Sequence, residues 1–310
     1  MEQATMTRRE KENLRTGLLF ISPWIAGFLL LSVYPLVATL YYSLSDYSVL
    51  SPAVFVGLEN YRNLATDPIF WKSVYNTFFF AAFALPLGLL VSLTLAILLN
   101  FDLPGRGIFR TVFFLPSLMP MVCLAVLWQW MLNGDLGLIN NALRPPLDAV
   151  NALFGTNLTP PNWLQEPVYA KWGIIFTALW GVGQAVVIYL AGLQDVPRHL
   201  YESAEIDGAN FWKKTWHITL PMISPVIYFN LIMGLIGSFQ VFAVPYVMTE
   251  GGDGPERSLL FMATYLYQNA FDYWSMGYAC AIGLVLFLVI LGLTLLATRL
   301  SARHVHYEGN

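Results

Sequence analysis

Glu202, Asp207 and Asn210 bring acid and amide groups into the stretch Tyr201 to Pro221, which lies between two long hydrophobic runs. Asp207-Gly208 is a turn dipeptide, because glycine takes positive φ without steric cost, and it predicts a break between two short helices. Asn210 is a good N-cap for the second. Phe211, Trp212, Thr215, Trp216 and Thr219 then share one helical face, and Leu220-Pro221 ends that helix and begins the next apolar run. A polar loop with such a stripe is suited to docking another protein. Trp212 and Trp216 also fit a simpler role, as anchors at a lipid interface.

Other reactive chemistry is sparse. None of the five lysines follows a glycine, so the phosphate-cradling pattern G-x-x-x-x-G-K-[ST] is absent and ATP must be bound by another subunit. The long apolar runs hold no Asp, Glu, Lys, Arg or His, hence no intramembrane proton relay, although a sodium site built from carbonyls and hydroxyls escapes that test. His304 and His306 read as part of a solvated tail, and no metal site is assigned. The runs do carry Trp128, Gln129, Trp130, Trp180, Gln184, Tyr228, Asn230, Ser238 and Gln240. Amides and hydroxyls exchange hydrogen bonds with a polyol, and aromatic faces pack on its C–H surfaces. This inventory suits a neutral sugar better than a carboxylate or metal ion. The competing use of each group is hydrogen bonding between helices, worth about 0.6 kcal/mol on average in one membrane system.

Composition identifies what must position these groups. With 57% hydrophobic and 11% charged residues, and a mean hydropathy of +0.58, the chain is an integral membrane protein; soluble domains carry roughly 25% charged residues. Six runs reach the roughly 20 residues that cross a bilayer, over 17–44, 74–99, 111–132, 172–194, 222–248 and 275–298. The first is too long for a signal-peptide core, and no small-residue cleavage site closes it. Cys123 and Cys280 lie within runs and read as small core residues.

Of 16 lysines and arginines, five (Arg62, Lys72, Arg144, Lys171 and Arg257) fall in segments that would be outside if the amino terminus is inside, leaving eleven inside. That bias places both termini and the Tyr201 to Pro221 loop in the cytoplasm. The organisation is a cytoplasmic segment 1–16, one six-helix domain 17–298 with its loop at 195–221, and a tail 299–310. The segments 45–73 and 133–171 are expected to form compact lids or short interfacial helices facing outward. Pro23, Pro35, Pro86, Pro116, Pro120, Pro225 and Pro245 lie in or near the spans, where they favour kinks that line a cavity or merely shape packing.

The loop resembles the signature cytoplasmic loop of ABC importer permeases: Glu202-Ser203-Ala204, then Asp207-Gly208-Ala209, then Ile218-Thr219-Leu220-Pro221, with Ser203 in place of the usual Ala. Val56-Gly57-Leu58-Glu59-Asn60-Tyr61, Phe109-Arg110, Leu115-Pro116 and Gly237-Ser238-Phe239-Gln240-Val241-Phe242 extend the resemblance to the carbohydrate branch, the maltose and glycerol-phosphate type. Gly251-Gly252-Asp253-Gly254-Pro255 departs from a compact Gly-Gly-Pro, and Ala243 replaces a common polar residue.

The resemblance implies an all-α, six-helix type I importer permease in a prokaryotic inner membrane. It would pair with a second, similar permease, two ATPase subunits holding ATP and Mg, and an extracytoplasmic solute-binding protein. The permease itself would hold no cofactor, perform no covalent chemistry and bind no nucleic acid, with membrane lipid around it and a saccharide or polyol passing through. Coupling to the ATPase would fall to Glu202, Ser203, Ala204, Asp207, Gly208, Ala209, Ile218, Leu220 and Pro221. Matching through Thr249 sets Ser238, Phe239 and Gln240 beside the sugar-lining stretch of maltose-type relatives. Gly234, Ser238 and Val241 give that helix a small, partly open face, bordered by Gln240 and Phe242, with Trp180 and Gln184 at a comparable level on the fourth helix. Two rivals stand beside this reading: an ion-coupled secondary carrier, and a membrane-embedded transferase using Asp67, Asp135 or Asp148.

Overall fold

The computed structural model describes residues 7–102 and 104–301. In chain order, α1 (Arg8–Phe28) runs through a π turn into α2 (Tyr34–Ser43), followed by β1 (Ser45–Ser48), β2 (Ser51–Phe55) and α3 (Glu59–Thr66). The longest helix, α4 (Pro68–Asn100), precedes α5 (Arg106–Phe114), α6 (Met121–Met131) and α7 (Leu138–Phe154). Then come α8 (Pro167–Trp180), α9 (Gly183–Asp195), α10 (Arg198–Ile206), α11 (Phe211–Lys214) and α12 (Leu220–Met222). The chain ends with α13 (Ser224–Phe239), α14 (Ala243–Met248), α15 (Met262–Tyr267) and α16 (Met276–Ser301). His304 and His306 lie outside the described residues, as do the ends of the segments 1–16 and 299–310.

Four stretches are long and apolar enough to cross a membrane as they stand: Glu12–Ser43, Pro68–Asn100, Ser224–Met248 and Met276–Ser301. The two remaining expected spans are bent pairs, Arg106–Leu118 with Met121–Met131 at 101° and Pro167–Trp180 with Gly183–Asp195 at 44°, so the total is six if each pair is one span. Pro116 and Pro120 flank the sharper bend. No proline marks the other, which falls at Gly181-Val182. There a Cβ on Gly183 would stand 2.7 Å from the Phe113 carbonyl oxygen, so glycine alone lets the start of α9 approach the end of α5. Pro23 and Pro86, by contrast, sit within helices that continue past them.

The chain divides into two compact units, one formed by the chain up to Thr66 with Leu266–Val285, the other by Asp67–Tyr265 with the chain from Leu286 on. In the first, β1 and β2 form an antiparallel hairpin pairing Ser45 with Phe55. Asn60 Nδ2 fastens α3 beneath it, donating to the carbonyls of Ser43 at 2.9 Å and Ser45 at 3.0 Å. This ribbon is an addition to the helical architecture expected; two strands of four and five residues are too short for their alternation to be read.

In the second unit α4 carries a core at each end. Phe80 and Ala84 pack with Trp128, Leu132, Ile174 and Phe261, and Ala96 and Leu99 with Val186, Tyr189, Leu193 and Ile223. Near the start of α4, Asn76 Nδ2 donates to the carbonyls of Arg257 at 2.7 Å and Leu260 at 2.8 Å, and Thr77 Oγ1 accepts from Met262 N at 3.0 Å. These bonds pin the Gly251–Pro255 segment's continuation to the helix. Cys123 is exposed on α6 and Cys280 half-buried, both as free thiols, so Cys123 is not the core residue expected. Its neighbours Ala125 and Trp128 take the inward face instead.

Candidate functional site

The Tyr201 to Pro221 loop folds as two short helices around the expected turn. Asp207 caps α10, Gly208 follows at φ +73°, Gly208 N donates to Glu205 O at 3.0 Å and Ala209 N to Ala204 O at 2.8 Å. This pair of bonds is a Schellman motif, which satisfies carbonyls the helix end would otherwise orphan. Asn210 Oδ1 accepts from Lys213 N at 2.9 Å and caps α11 as expected.

The loop is braced from within. Lys214 Nζ lies 2.8 Å from Glu205 Oε1, Tyr201 OH and Thr219 Oγ1 are 2.9 Å apart, and the Phe211 ring lies 5.6 Å from Phe101 at the end of α4. Sequence reasoning missed these three contacts. The opposite charges of Glu205 and Lys214, nine positions apart across a turn, were the available signal.

Two details differ from expectation. The five residues Thr215–Thr219 form a π turn in which Leu220 N bonds Thr215 O, and the expected single face is divided: Thr215 and Thr219 turn inward while Trp212 and Trp216, at its edge, stay 67% and 65% exposed. The helix also continues through Leu220-Pro221, and the break comes at Ile223. Ile218 packs into the core at the C-terminal half of α4. Glu202, Ser203, Asp207 and Gly208 are therefore the outward part of the assigned set, with Ala204, Ala209, Leu220 and Pro221 half-buried.

The assigned path residues separate in the same way. The fifth expected span is broken at Gln240–Phe242, between α13 and α14, with Phe242 at φ −143° and ψ −61°. Gln240 is exposed at this break, and Phe242 stacks on Tyr246 at 5.1 Å. Trp180, 43% exposed, stands edge-on to Trp128 at 5.5 Å and ends α8, while Gln184 is exposed in the first turn of α9 across the 44° bend. Neither glutamine side chain bonds another described residue.

The rest of the set is occupied. Ser238 Oγ donates to Leu235 O at 2.8 Å and Phe239 is buried edge-on against Phe78. A Cβ on Gly234 would meet Leu85 Cδ1 at 2.6 Å, so that face is filled and not open as expected. Tyr228 OH and Thr298 Oγ1, 2.8 Å apart, join α13 to α16, the packing role weighed against sugar binding. Among the described residues no group of three or more His, Cys, Asp or Glu could hold a metal ion.

Residues 84–305 match the family described as binding-protein-dependent transport system inner membrane component. The chain belongs to that family. As a binding-protein-dependent permease it is a multi-pass membrane component of an importer, a transport subunit and not an enzyme, with the ion-coupled carrier and the transferase set aside. Such a subunit works with a partner permease, an ATPase and a solute-binding protein.

Among its relatives, the probable ABC transporter permease protein YesP of Bacillus subtilis (strain 168) is 36% identical over 96% of this chain and 94% of its own. The lactose transport system permease protein LacF of Rhizobium radiobacter is 35% identical over 90% and 92%. In three dimensions the permease is similar to a chain of a bacterial alginate ABC transporter crystallised with an alginate pentasaccharide-bound periplasmic protein, at TM-score 0.79 and 24% identity, covering 96% of this chain and 98% of that one. At that identity the likeness concerns the fold.

Proposed function

We propose that this permease imports a saccharide, with the Tyr201 to Pro221 loop as the element that receives motion from an ATPase. The outward surface of Glu202, Ser203, Asp207 and Gly208 on a loop braced by Glu205–Lys214 and Tyr201–Thr219 is the observation that carries it. A rigid, exposed, capped turn transmits displacement, whereas a loosely held loop would absorb it. ATP and Mg reside on two ATPase subunits, a second and similar permease completes the path, and both termini face the cytoplasm. The sugar substrates named for relatives such as LacF support the substrate class.

Along the path, Gln240 and Phe242 at the helix break and Trp180 and Gln184 at the α8–α9 bend offer amides and ring faces to sugar hydroxyls and C–H surfaces. Backbone that leaves helical form at membrane depth is tolerated where it is buried in protein or lines a cavity, which favours the Gln240–Phe242 break as a place of contact. The experiment is co-purification of the tagged permease with its companions, from wild type and Glu202→Lys. An ATPase and a second permease are expected with wild type, and the ATPase is lost or uncoupled in the variant while the chain remains in the membrane. Full assembly and ATP-dependent uptake by Glu202→Lys would refute the docking role.

A further inference from the structure

The N-terminal half of α4 carries Trp71, Tyr75, Phe79 and Phe83 at four-residue intervals. These four share a helical face and form a stripe that climbs the axis for roughly 18 Å, twelve residues at 1.5 Å each. The first helical turns of α8 flank it. Trp172 lies edge-on to Phe79 at 5.9 Å and 5.1 Å from Phe83. Lys171 Nζ sits 4.4 Å from the centre of the Tyr75 ring and 5.0 Å from that of Phe79. Tyr75 and Phe83 stay 57% and 41% exposed.

A second cation joins the first. Lys72, three residues before Tyr75, shares the face of α4 over which Lys171 sits. Among the described residues neither lysine has an ion-pair or hydrogen-bond partner. The acids nearest in sequence are engaged elsewhere: Asp67 accepts from Ile69 N at 2.8 Å and from Tyr265 OH at 2.5 Å, and Glu166 from Asn162 N at 3.3 Å. Ring faces attract an ammonium but give its three N–H donors no oxygen. Two half-buried like charges brought together are unfavourable until an anion lies between them.

We propose that the stripe and this lysine pair form an entrance subsite for a saccharide that carries a carboxylate, a hexuronate-containing oligosaccharide. The sugar's C–H faces stack on Tyr75 and Phe83, and the carboxylate accepts from Lys171 and Lys72. This rests on the saccharide-import reading above and narrows its substrate class. The neutral sugar expected from composition concerned groups inside the spans, and both lysines flank the runs 74–99 and 172–194. A phospholipid headgroup shares the anion chemistry, but interfacial aromatic belts lie at one level of the membrane, whereas this stripe runs along the helix axis.

The test uses the assembled importer in phosphatidylcholine nanodiscs, titrated with cellobiose and with cellobiouronate, disaccharides of equal size that differ by one carboxylate. Tryptophan fluorescence, with Trp71 and Trp172 beside the subsite, reports binding. At low salt cellobiouronate is expected to bind about tenfold tighter, the effect of one hydrogen bond to a charged group. Lys171→Gln removes that preference without loss of the ATPase from the complex, and Lys171→Arg keeps it. Equal binding of the two sugars, or a preference that survives Lys171→Gln, overturns the acid-binding subsite and leaves saccharide import standing. If neither sugar binds, the subsite is overturned; if, in addition, no saccharide drives ATP-dependent uptake, the import reading falls with it. Lysine-dependent retention of phosphatidylglycerol, seen by native mass spectrometry with no sugar preference, would reassign the pair to a headgroup and also overturn the proposal.

Discussion

Lys214 Nζ lies 2.8 Å from Glu205 Oε1 and so ties α11 to α10 across the Gly208 turn. The Glu205 side chain is 63% exposed and that of Lys214 only 22%. An exposed pair contributes roughly 0.2–1 kcal/mol, enough to hold a loop in place but not a fold. Glu205→Lys is expected to leave the permease in the membrane, speed proteolytic cleavage between α10 and α11, and weaken ATPase binding. The exchanged pair Glu205→Lys with Lys214→Glu should recover part of both. Equal cleavage rates in wild type and both variants would show the bridge to be incidental.

Gly208 sits at φ +73° with nothing within 4 Å of where a Cβ would stand, so its requirement is backbone shape and not space. A β-branched residue there costs about 1–2 kcal/mol, whereas asparagine tolerates the left-handed region. Gly208→Val should reduce ATPase recruitment, and Gly208→Trp should uncouple or release the ATPase, adding bulk on the outward surface. Gly208→Asn should remain close to wild type. The check is the amount of ATPase retained on the purified complex.

Gln184→Ala and Gln240→Ala should each weaken uptake and alter preference among saccharides while assembly stays intact. A hydrogen bond between neutral groups contributes roughly 0.5–1.5 kcal/mol, so half-saturation should rise roughly two- to tenfold. Initial uptake rates at limiting sugar measure this. Wild-type rates and rank order in both variants would return the two glutamines to helix packing.

Orientation is testable with single cysteines at Asp253 and Asp207, after Cys123→Ser and Cys280→Ala. An impermeant maleimide applied to intact cells should label position 253 and spare 207. The reverse pattern would invert the topology and remove the Tyr201 to Pro221 loop from the cytoplasm.

What could be read in advance follows the range of the forces involved. The Gly208 turn and Asn210 cap are made within a few residues of themselves, so residue type and order were enough. The bend at Gly181-Val182 depends on Gly183 meeting Phe113 from another helix, and a run of apolar residues gives no sign of it. The Gln240–Phe242 break is hidden for the same reason, because hydropathy is continuous through it. Ser238 and Gly234 looked available by spacing, yet the Leu235 carbonyl and the Leu85 side chain occupy them. In the loop, periodicity grouped Trp212 and Trp216 with Thr215 and Thr219, but only the threonine side of that face packs inward, because burial depends on what the rest of the chain places against it.

α4 spans 33 residues without interruption and bears one core at each end. At 1.5 Å per residue it is roughly 50 Å long, well beyond the roughly 30 Å of a bilayer's apolar layer. Its far end meets the braced loop through Phe101 and Phe211, and its near end holds Asn76 and Thr77. Such a rod is a lever: a tilt of about 5° about its midpoint carries each tip roughly 2 Å in opposite directions. If the loop takes up a push at Phe211, a rigid α4 would carry it to its other tip as an opposite swing, with no chain of intermediate rearrangements required.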